Sequence, residues 1–260
     1  MNGALSTAPV AAQAVSGGVS AFAGLVTGRG RWPAGVNEWS RGAATGTERA
    51  TSGIPVVLVP GSFVPGEFYW HRLVPGLIAD GHPVYACNLP GVGTRRPARQ
   101  VAALEQFLTR VRDATGTDAV ILVGQSFGGV IIRDLLRTTT ADVRAAVLVS
   151  SQNHGFRPLW SRVFTAPGMR SIVGVVCPMA LDLIPGSGYL ADLDAVPPAV
   201  PTTTITSTRD AFAAPGSVAV AGADNIVLQE LDPGVRSGHM LIGFDPVAID
   251  RIRSAIASVA

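Results

Sequence analysis

Lysine is missing from this 260-residue chain, and its 20 basic residues are all arginine. Charged residues of both signs make up only 15% of the sequence, and the net charge is +2 at pH 7. Because the arginines form no run or stripe, this charge pattern excludes the electrostatic footprint of a nucleic-acid-binding protein. Hydrophobic residues make up 47%, enough to offset the entropy cost of ordering the chain, which excludes wholesale disorder.

Cysteine and histidine are scarce, which limits the metal and redox chemistry open to the chain. Cys87 and Cys177 are the only cysteines, so a C-x-x-C zinc or redox motif is excluded. The four histidines lack H-x-x-x-H spacing, and no G-x-G-x-x-G follows the first predicted strand. We therefore expect neither a metal nor a cofactor. A disulfide between the two cysteines and a pair of buried free thiols are both compatible with the sequence.

Charge is absent from the first 28 residues, which are rich in Ala, Gly, Ser and Val. Their mildly apolar stretch is too weak to predict a membrane span. Ala21-Phe22-Ala23 resembles a signal-peptidase site, although no basic segment precedes it. This composition favours secretion or export, and a cytoplasmic location stays open. We expect residues 1–34 to be a flexible arm or a signal or propeptide remnant, and residues 35–260 to form a single domain.

Short β-branched runs alternate with amphipathic segments along the rest of the chain. We predict strands at residues 55–60, 83–87, 118–123, 145–150, 202–207 and 225–231. We predict helices at residues 68–80, 97–115, 127–137 and 246–257. Strands separated by helices predict an α/β fold, with a mainly parallel sheet of six or slightly more strands and helices on both faces. Residues 151–201 lack clear periodicity, and we expect them to form a cap or pocket wall.

A G-x-S-x-G motif follows the third predicted strand, at Gly124-Gln125-Ser126-Phe127-Gly128. The motif opens a predicted helix, and this strand–turn–helix context is what a nucleophile elbow requires. We expect glycine on both sides to let the backbone turn sharply and present the Ser126 hydroxyl. The alternative is a plain turn in which Ser126 only caps the helix.

A serine hydroxyl needs a base to take its proton, and on this type of fold the partners follow the serine in the order acid, then histidine. His239 lies between the last predicted strand and the last helix, so we predict that it is the base. His154 precedes any strand that could deliver the acid, and we expect it to be a loop or pocket residue. Asp210, just after the fifth strand, is the predicted acid. The competing carboxylates are Asp192, Asp194, Asp224 and Asp232.

An oxyanion hole needs two N–H donors that already point at the developing charge. We predict the backbone N–H groups of Phe127 and Ser62, with Phe63 as the alternative to Ser62. The candidate substrate-binding residues are Phe63, Phe156, Trp160 and Met240. Further apolar candidates, each equally compatible with a place in the core, are Phe68, Trp70, Phe127, Phe164, Met169 and Leu241.

Several motifs together carry a family resemblance. They are GVNEWS at 35–40, PVVLVPG at 55–61, the segment 119–129, SQNHG at 151–155, TSTRD at 206–210, Gly238-His239 and FDPVA at 244–248. The chain resembles the α/β-hydrolases, and more narrowly the bacterial class 2 lipases, especially their longer secreted relatives. The resemblance implies ester hydrolysis through a covalent acyl-enzyme without a cofactor. It implies the roles of Ser126, Asp210 and His239 in catalysis, and of Ser62 and Phe127 in the oxyanion hole.

Two positions and one short segment depart from the pattern of that family. Pro60 replaces the histidine usual before the oxyanion loop, and it cannot donate a hydrogen bond. Arg41 replaces a common cysteine, so the family's disulfide pattern does not carry over to Cys87. Asn88-Leu89-Pro90-Gly91 is closer to the esterase and haloperoxidase branch, which allows a substrate other than a triglyceride.

The leading hypothesis is therefore a serine carboxylic-ester hydrolase that acts on an apolar small-molecule or lipid ester, with possible contact at a lipid surface. The same residues would also serve a lactone-forming or lactone-opening enzyme, a thioesterase or an acyltransferase of secondary metabolism. A hydrolase-fold binding protein without turnover is the third hypothesis, because fold alone does not determine function.

Overall fold

A computed structural model describes residues 36–37, 53–64, 66–138 and 142–260, without the side chains of residues 36, 37, 67 and 68. The expected N-terminal arm lies outside the described residues, as do Arg41 and most of the GVNEWS motif. The described strands form one sheet. They are β1 (Val36–Asn37), β2 (Val56–Val59), β3 (Val84–Ala86), β4 (Val120–Gln125), β5 (Val143–Val149), β6 (Thr202–Thr206) and β7 (Asp224–Val227).

The sheet has the order β1-β3-β2-β4-β5-β6-β7, and every neighbouring pair is parallel. The predicted α/β fold with its parallel sheet is thus confirmed, with β1 as a short seventh strand at the edge. The chain runs from β2 outward to β3 and then crosses back to β4, so the strand order reverses beside β2. In open α/β sheets, ligands bind outside the carboxyl ends of the strands near such a reversal.

Twelve helical segments connect or follow the described strands. They are α1 (Gly66–Tyr69), α2 (Leu73–Ala79), α3 (Pro90–Gly93), α4 (Pro97–Thr115), α5 (Phe127–Thr138), α6 (Pro158–Thr165), α7 (Met169–Val176), α8 (Met179–Asp182), α9 (Gly188–Asp194), α10 (Pro215–Val218), α11 (Leu228–Leu231) and α12 (Pro246–Ala257). A 3-10 turn at Ile242–Phe244 precedes α12.

The sheet separates two hydrophobic clusters, as the alternation of side chains along its strands requires. All four residues of β2 are fully buried. Val57 and Val59 pack in the cluster formed with α4 and α5, whereas Val56 and Leu58 pack in the cluster formed with α2 and α12. Helices therefore cover both faces of the sheet.

The single helix predicted at residues 68–80 is wrong, because the chain forms two helices there, α1 and α2. Pro75 explains the break. A continuous helix would require a backbone N–H at position 75, whereas a helix that begins at Leu73 places the proline in its first turn, where no N–H is needed. The predicted end of the helix at Gly81 agrees with its φ of 90°.

The strand predicted at residues 225–231 is too long, since β7 ends at Val227 and α11 follows. The turn buries Leu228 completely and brings Gln229 back towards residues 207–213, the loop after β6 that carries Asp210 and is called the acid loop below. The Gln229 carboxamide accepts from the Thr208 N–H at 2.9 Å and donates to Ser207 Oγ at 2.8 Å. These tertiary contacts outweigh the β propensity of the sequence.

The insertion between β5 and β6 has a structure of its own, in the form of α6 to α9. The buried side chain of Arg133 links the insertion to helix α5. Arg133 on α5 is 7% exposed and donates to Asp194 Oδ1 at 2.8 Å and to the carbonyl oxygens of Asn153 and Leu193. The ring of His154 meets Asp194 Oδ2 at 2.9 Å. His154 Nε2 lies 2.8 Å from the carbonyl oxygen of Ala219, so this loop residue links the insertion to the chain after α10.

Candidate active site

The backbone at Ser126 lies in the left-handed region, with φ of 53°. This conformation is rare for a residue with a side chain and is typical of strained functional turns. The flanking glycines serve a different purpose from the one expected, because neither has a positive φ. A Cβ at Gly128 would lie 2.5 Å from the carbonyl oxygens of Val59 and Pro60. Glycine there lets α5 begin directly against the end of β2.

Ser126, His239 and Asp210 come together at the carboxyl edge of the sheet. Ser126 Oγ lies 2.9 Å from His239 Nε2, and His239 Nδ1 lies 2.8 Å from Asp210 Oδ2. All three are buried, with exposures of 8%, 7% and 2%. Since a carboxylate only accepts, the hydrogen on His239 belongs on Nδ1, which leaves Nε2 free to accept from the serine hydroxyl.

The carboxylate of Asp210 is held by three groups. Its Oδ1 accepts from the backbone N–H groups of Phe212 at 2.8 Å and Ala213 at 2.9 Å, while its Oδ2 faces His239. Burial by itself would raise the pKa of Asp210. The hydrogen bond and charge of His239 and the two backbone N–H groups outweigh burial, and the pKa lies below its ordinary value. Asp210 is therefore ionised at neutral pH.

The insertion holds the loop that carries Asp210 through helix α6. The Arg157 side chain donates from Nε to the Asp210 carbonyl at 2.8 Å, and its backbone N–H donates to the Phe212 carbonyl at 2.8 Å. Trp160 Nε1 donates to the Ala211 carbonyl at 2.9 Å. The Phe212 ring in turn lies 4.9 Å from the ring of His239. The segment predicted as a cap or pocket wall therefore contacts the loop of Asp210 directly and reaches His239 through the Phe212 ring.

Ser62 and Phe63 form the loop after β2, and their donors differ. The Phe63 N–H donates to the Val92 carbonyl at 2.9 Å, so it is already used. Within the described residues, the backbone N–H groups of Ser62 and Phe127 make no hydrogen bond. Ser62 Oγ donates to the Gly93 carbonyl at 2.6 Å. The loop is therefore held by hydrogen bonds to the chain after β3.

Two buried glutamines beside His239 were not singled out from the sequence. Gln125 Nε2 lies 3.4 Å from the His239 carbonyl oxygen and 3.5 Å from its Nε2. Gln152 Nε2 lies 3.1 Å from Ser126 Oγ and 3.5 Å from the same Nε2. Gln125 ends β4 and Gln152 follows β5, at the edge where the site forms, and this position is the signal that could have identified them.

The competing carboxylates do not contact His239. Asp194 pairs with Arg133, Asp232 accepts from the Gly234 N–H, and Asp192 and Asp224 are exposed.

Among the substrate-binding candidates, Phe63 is 63% exposed and follows Ser62 in the sequence, and Met240 is 40% exposed and follows His239. The remaining candidates pack inward or lie on α7. Phe156, Phe127 and Trp70 are buried core residues, Trp160, Phe164 and Leu241 are partly buried, Met169 is exposed, and the Phe68 side chain lies outside the described residues.

Both cysteines, Cys87 and Cys177, are buried free thiols. The described part of the chain contains no cluster of three or more His, Cys, Asp or Glu side chains able to hold a metal ion. No helix in the same residues is both long and apolar enough to cross a membrane.

A profile of the α/β hydrolase fold matches residues 54–167 of the chain. The polyketide synthase ThaQ of Burkholderia thailandensis is 33% identical over 151 residues, which is 57% of this chain. The match spans only 7% of the length of that synthase.

Solved structures with the same fold include lipases and an esterase. Aspergillus fumigatus lipase B has a TM-score of 0.64 at 19% identity, over 78% of this chain and 52% of that one. The mature Bacillus licheniformis lipase BlEst2 has a TM-score of 0.59 at 14% identity, over 79% and 91%. Esterase RhEst1 from a Rhodococcus species has a TM-score of 0.53 at 18% identity, over 81% and 92%. At these identities the likeness shows the fold alone.

Proposed function

We propose that this chain, which has the α/β-hydrolase fold, is a serine carboxylic-ester hydrolase that acts on apolar esters. One observation carries the proposal. Ser126 Oγ, His239 and Asp210 form a continuous hydrogen-bonded chain, with distances of 2.9 and 2.8 Å, at the carboxyl edge of the sheet. The fold of lipases and an esterase supports the same reaction class.

Acylation begins when Ser126 Oγ attacks the ester carbonyl and His239 Nε2 takes the serine proton. Asp210 holds the Nδ1–H tautomer and stabilises the imidazolium that forms. The free backbone N–H groups of Ser62 and Phe127 are the donors for the oxyanion, and one such donor contributes on the order of 100- to 1,000-fold in rate. His239 then protonates the leaving alcohol.

Deacylation repeats these steps with water. His239 Nε2 takes a proton from the water as the water oxygen attacks the acyl carbon. The bond from that carbon to Ser126 Oγ then breaks, and His239 returns the proton to Oγ. Phe63 follows Ser62 in the sequence and Met240 follows His239, and both side chains are exposed. These two apolar side chains favour a substrate with an apolar acyl group. Neither step needs a metal or a cofactor.

The test is a series of p-nitrophenyl esters from acetate to palmitate, hydrolysed by wild type and by Ser126→Ala. We expect turnover by the wild type and a loss of about a thousandfold or more in Ser126→Ala. Ser171→Ala, an exposed serine on α7, is the control and keeps full activity. The chain-length optimum separates an esterase from a lipase. Equal activity in wild type and Ser126→Ala rejects the proposal.

A second function, acyl transfer or cyclisation in secondary metabolism, is favoured by the similarity to a segment of a polyketide synthase. The same three residues would then form an acyl-enzyme from a thioester and pass it to an alcohol or amine. Product analysis separates the two functions. Free acid as the main product from an acyl thioester supports hydrolysis, and a lactone, ester or amide supports transfer.

We also propose that residues 35–260 form a single domain. We further propose that the protein is secreted or exported. The composition of the first 28 residues supports the location. A comparison of the amino terminus of the protein in the medium and in the cell tests it. A processed chain in the medium is the expected result.

A further inference from the structure

Gln152 is a buried side chain that the proposed mechanism leaves unused. It is 2% exposed and follows β5. Its Nε2 lies 3.1 Å from Ser126 Oγ and 3.5 Å from His239 Nε2, and its Oε1 lies 3.3 Å from the same Oγ. Within the described residues, its carboxamide makes no hydrogen bond to any other group.

This set of partners is unusual for a buried glutamine. A carboxamide has two donors and an acceptor with two lone pairs, and buried polar groups are normally satisfied by the surrounding scaffold. Gln100 provides the contrast for the donor side of the carboxamide, because the scaffold holds its Nε2, although its Oε1 has no hydrogen-bond partner within the described residues. It is fully buried, and its Nε2 donates to the carbonyl oxygens of Pro90 at 3.0 Å and Arg95 at 3.4 Å. Gln152 instead depends on the reacting atoms themselves.

The two nitrogens, Gln152 Nε2 and His239 Nε2, define a place for one oxygen atom. They are 3.5 Å apart, and Ser126 Oγ already lies between them, 3.1 Å from Gln152 Nε2 and 2.9 Å from His239 Nε2. At this separation a second oxygen, on the other side of the pair, can also lie within about 2.9 Å of both nitrogens. Once Ser126 is acylated, its Oγ is an ester oxygen and a weak acceptor, so the Gln152 N–H becomes available. The oxygen of an incoming hydroxyl group can accept this N–H while its own hydrogen faces His239.

We propose that Gln152 forms an acceptor subsite, which holds the hydroxylic nucleophile, water or a small alcohol, that attacks the acyl-enzyme. This inference rests on the proposed function and deepens it. The bound oxygen attacks the acyl carbon while its proton passes to His239 Nε2. The tetrahedral intermediate then collapses, the bond to Ser126 Oγ breaks, and His239 returns the proton to that oxygen. Gln152 keeps its hydrogens throughout and positions the nucleophile.

The test separates acylation from deacylation in Gln152→Met and Gln152→Glu, with Gln100→Met as the matched control. Gln152→Glu keeps the shape of the side chain and removes its N–H donors at neutral pH, so it serves if Gln152→Met folds poorly. With p-nitrophenyl butyrate, the burst of nitrophenol reports acylation and the steady rate reports deacylation. Intact mass spectrometry shows any acyl group retained on Ser126, and added methanol gives the partition between methyl ester and acid.

We expect deacylation in both Gln152 variants to fall about tenfold or more, while acylation changes by less than about threefold. Acyl-enzyme then accumulates, and the ratio of methyl ester to acid shifts from the wild-type value. Gln100→Met keeps the wild-type partition. Because Gln152 makes no bond to the scaffold, Gln152→Met melts at or above the wild-type temperature, whereas Gln100→Met melts below it.

An equal fall in acylation and deacylation, or an unchanged partition, overturns the acceptor subsite. A lower melting temperature with unchanged kinetics also overturns it, because that pair of results belongs to a structural role. Failure of the proposed function is distinguishable, since the wild type itself would then show neither a burst nor an acyl-enzyme.

Discussion

The indole ring of Trp160 stacks on the ring of Phe212, with centroids 4.7 Å apart and planes within 11°. Trp160 belongs to α6 of the insertion, and Phe212 belongs to the acid loop, where it also contacts His239. The insertion is therefore attached to the loop that carries Asp210 by a ring stack and by three hydrogen bonds to the carbonyl oxygens of residues 210–212. Helix α6 acts as a fixed wall of the site, because lifting it away would break all of these contacts.

Replacement of Trp160 tests this brace. Trp160→Leu removes the ring stack and the hydrogen bond to Ala211, each worth about 0.5–1.5 kcal/mol. We expect kcat to fall about 10-fold or more, because the acid loop and His239 lose their fixed positions. The measurement is kcat and KM on p-nitrophenyl butyrate, with the melting temperature from calorimetry.

Trp160→Phe is the matched variant, since it keeps an aromatic ring against Phe212 and loses only the indole N–H. It should retain a larger share of kcat than Trp160→Leu. Leu159→Ala is the control on the same helix, because Leu159 is 66% exposed. A loss of kcat in Leu159→Ala equal to that in Trp160→Leu would show that α6 acts only through general stability.

Gly61 tests the close contact between the loop after β2, which carries the proposed oxyanion donor Ser62, and the turn at Ser126. A Cβ at position 61 would lie 2.3 Å from Gln125 Oε1 and 2.9 Å from Ser126 Cβ, so the loop would have to shift. We expect Gly61→Ala to lower kcat about 100-fold, comparable with the loss of one oxyanion donor. The control is Gly174→Ala on α7, where the nearest atom would lie 3.7 Å away. This control should keep full activity and gain about 0.5–1 kcal/mol in stability.

The sequence predicted the parallel sheet and the meeting of Ser126, Asp210 and His239 at one edge. Strand ends in a parallel sheet share an edge, so residues after β4, β6 and β7 converge whatever the details of packing. The sequence did not reveal the contacts that depend on the path of the insertion. The stack of Trp160 on Phe212 and the approach of Gln152 to Ser126 arise from tertiary packing between distant segments, which periodicity and turn signals do not report.

The cysteines provide a test of the core. Burial raises the pKa of the Cys87 thiol to about 12, with a small opposing effect of Arg110. The folded state therefore retains the thiol proton more tightly than the unfolded chain, in which the thiol has a pKa of about 8.5. The resulting stability is present below that value and is lost as the pH rises towards 12. We expect the free energy of unfolding of wild type to fall more steeply from about pH 9 to pH 11 than that of Cys87→Ala.

Thiol modification supplies a second readout of the same feature. Cys87, 1% exposed, should resist iodoacetamide in the native protein, and both cysteines should react in denaturant. A mass showing two carbamidomethyl groups without prior reduction is the expected result. A Cys87–Cys177 disulfide that must be reduced before alkylation would contradict the free thiols.

Covalent labelling of the folded protein with a fluorophosphonate, followed by peptide mass spectrometry, shows directly whether Ser126 is an activated nucleophile. An activated serine reacts with this reagent, whereas an ordinary serine hydroxyl does not. We predict a single adduct on the peptide that contains Ser126, absent in Ser126→Ala and strongly slowed in His239→Ala. A folded wild-type protein without an adduct, or with the adduct on another serine, would contradict it.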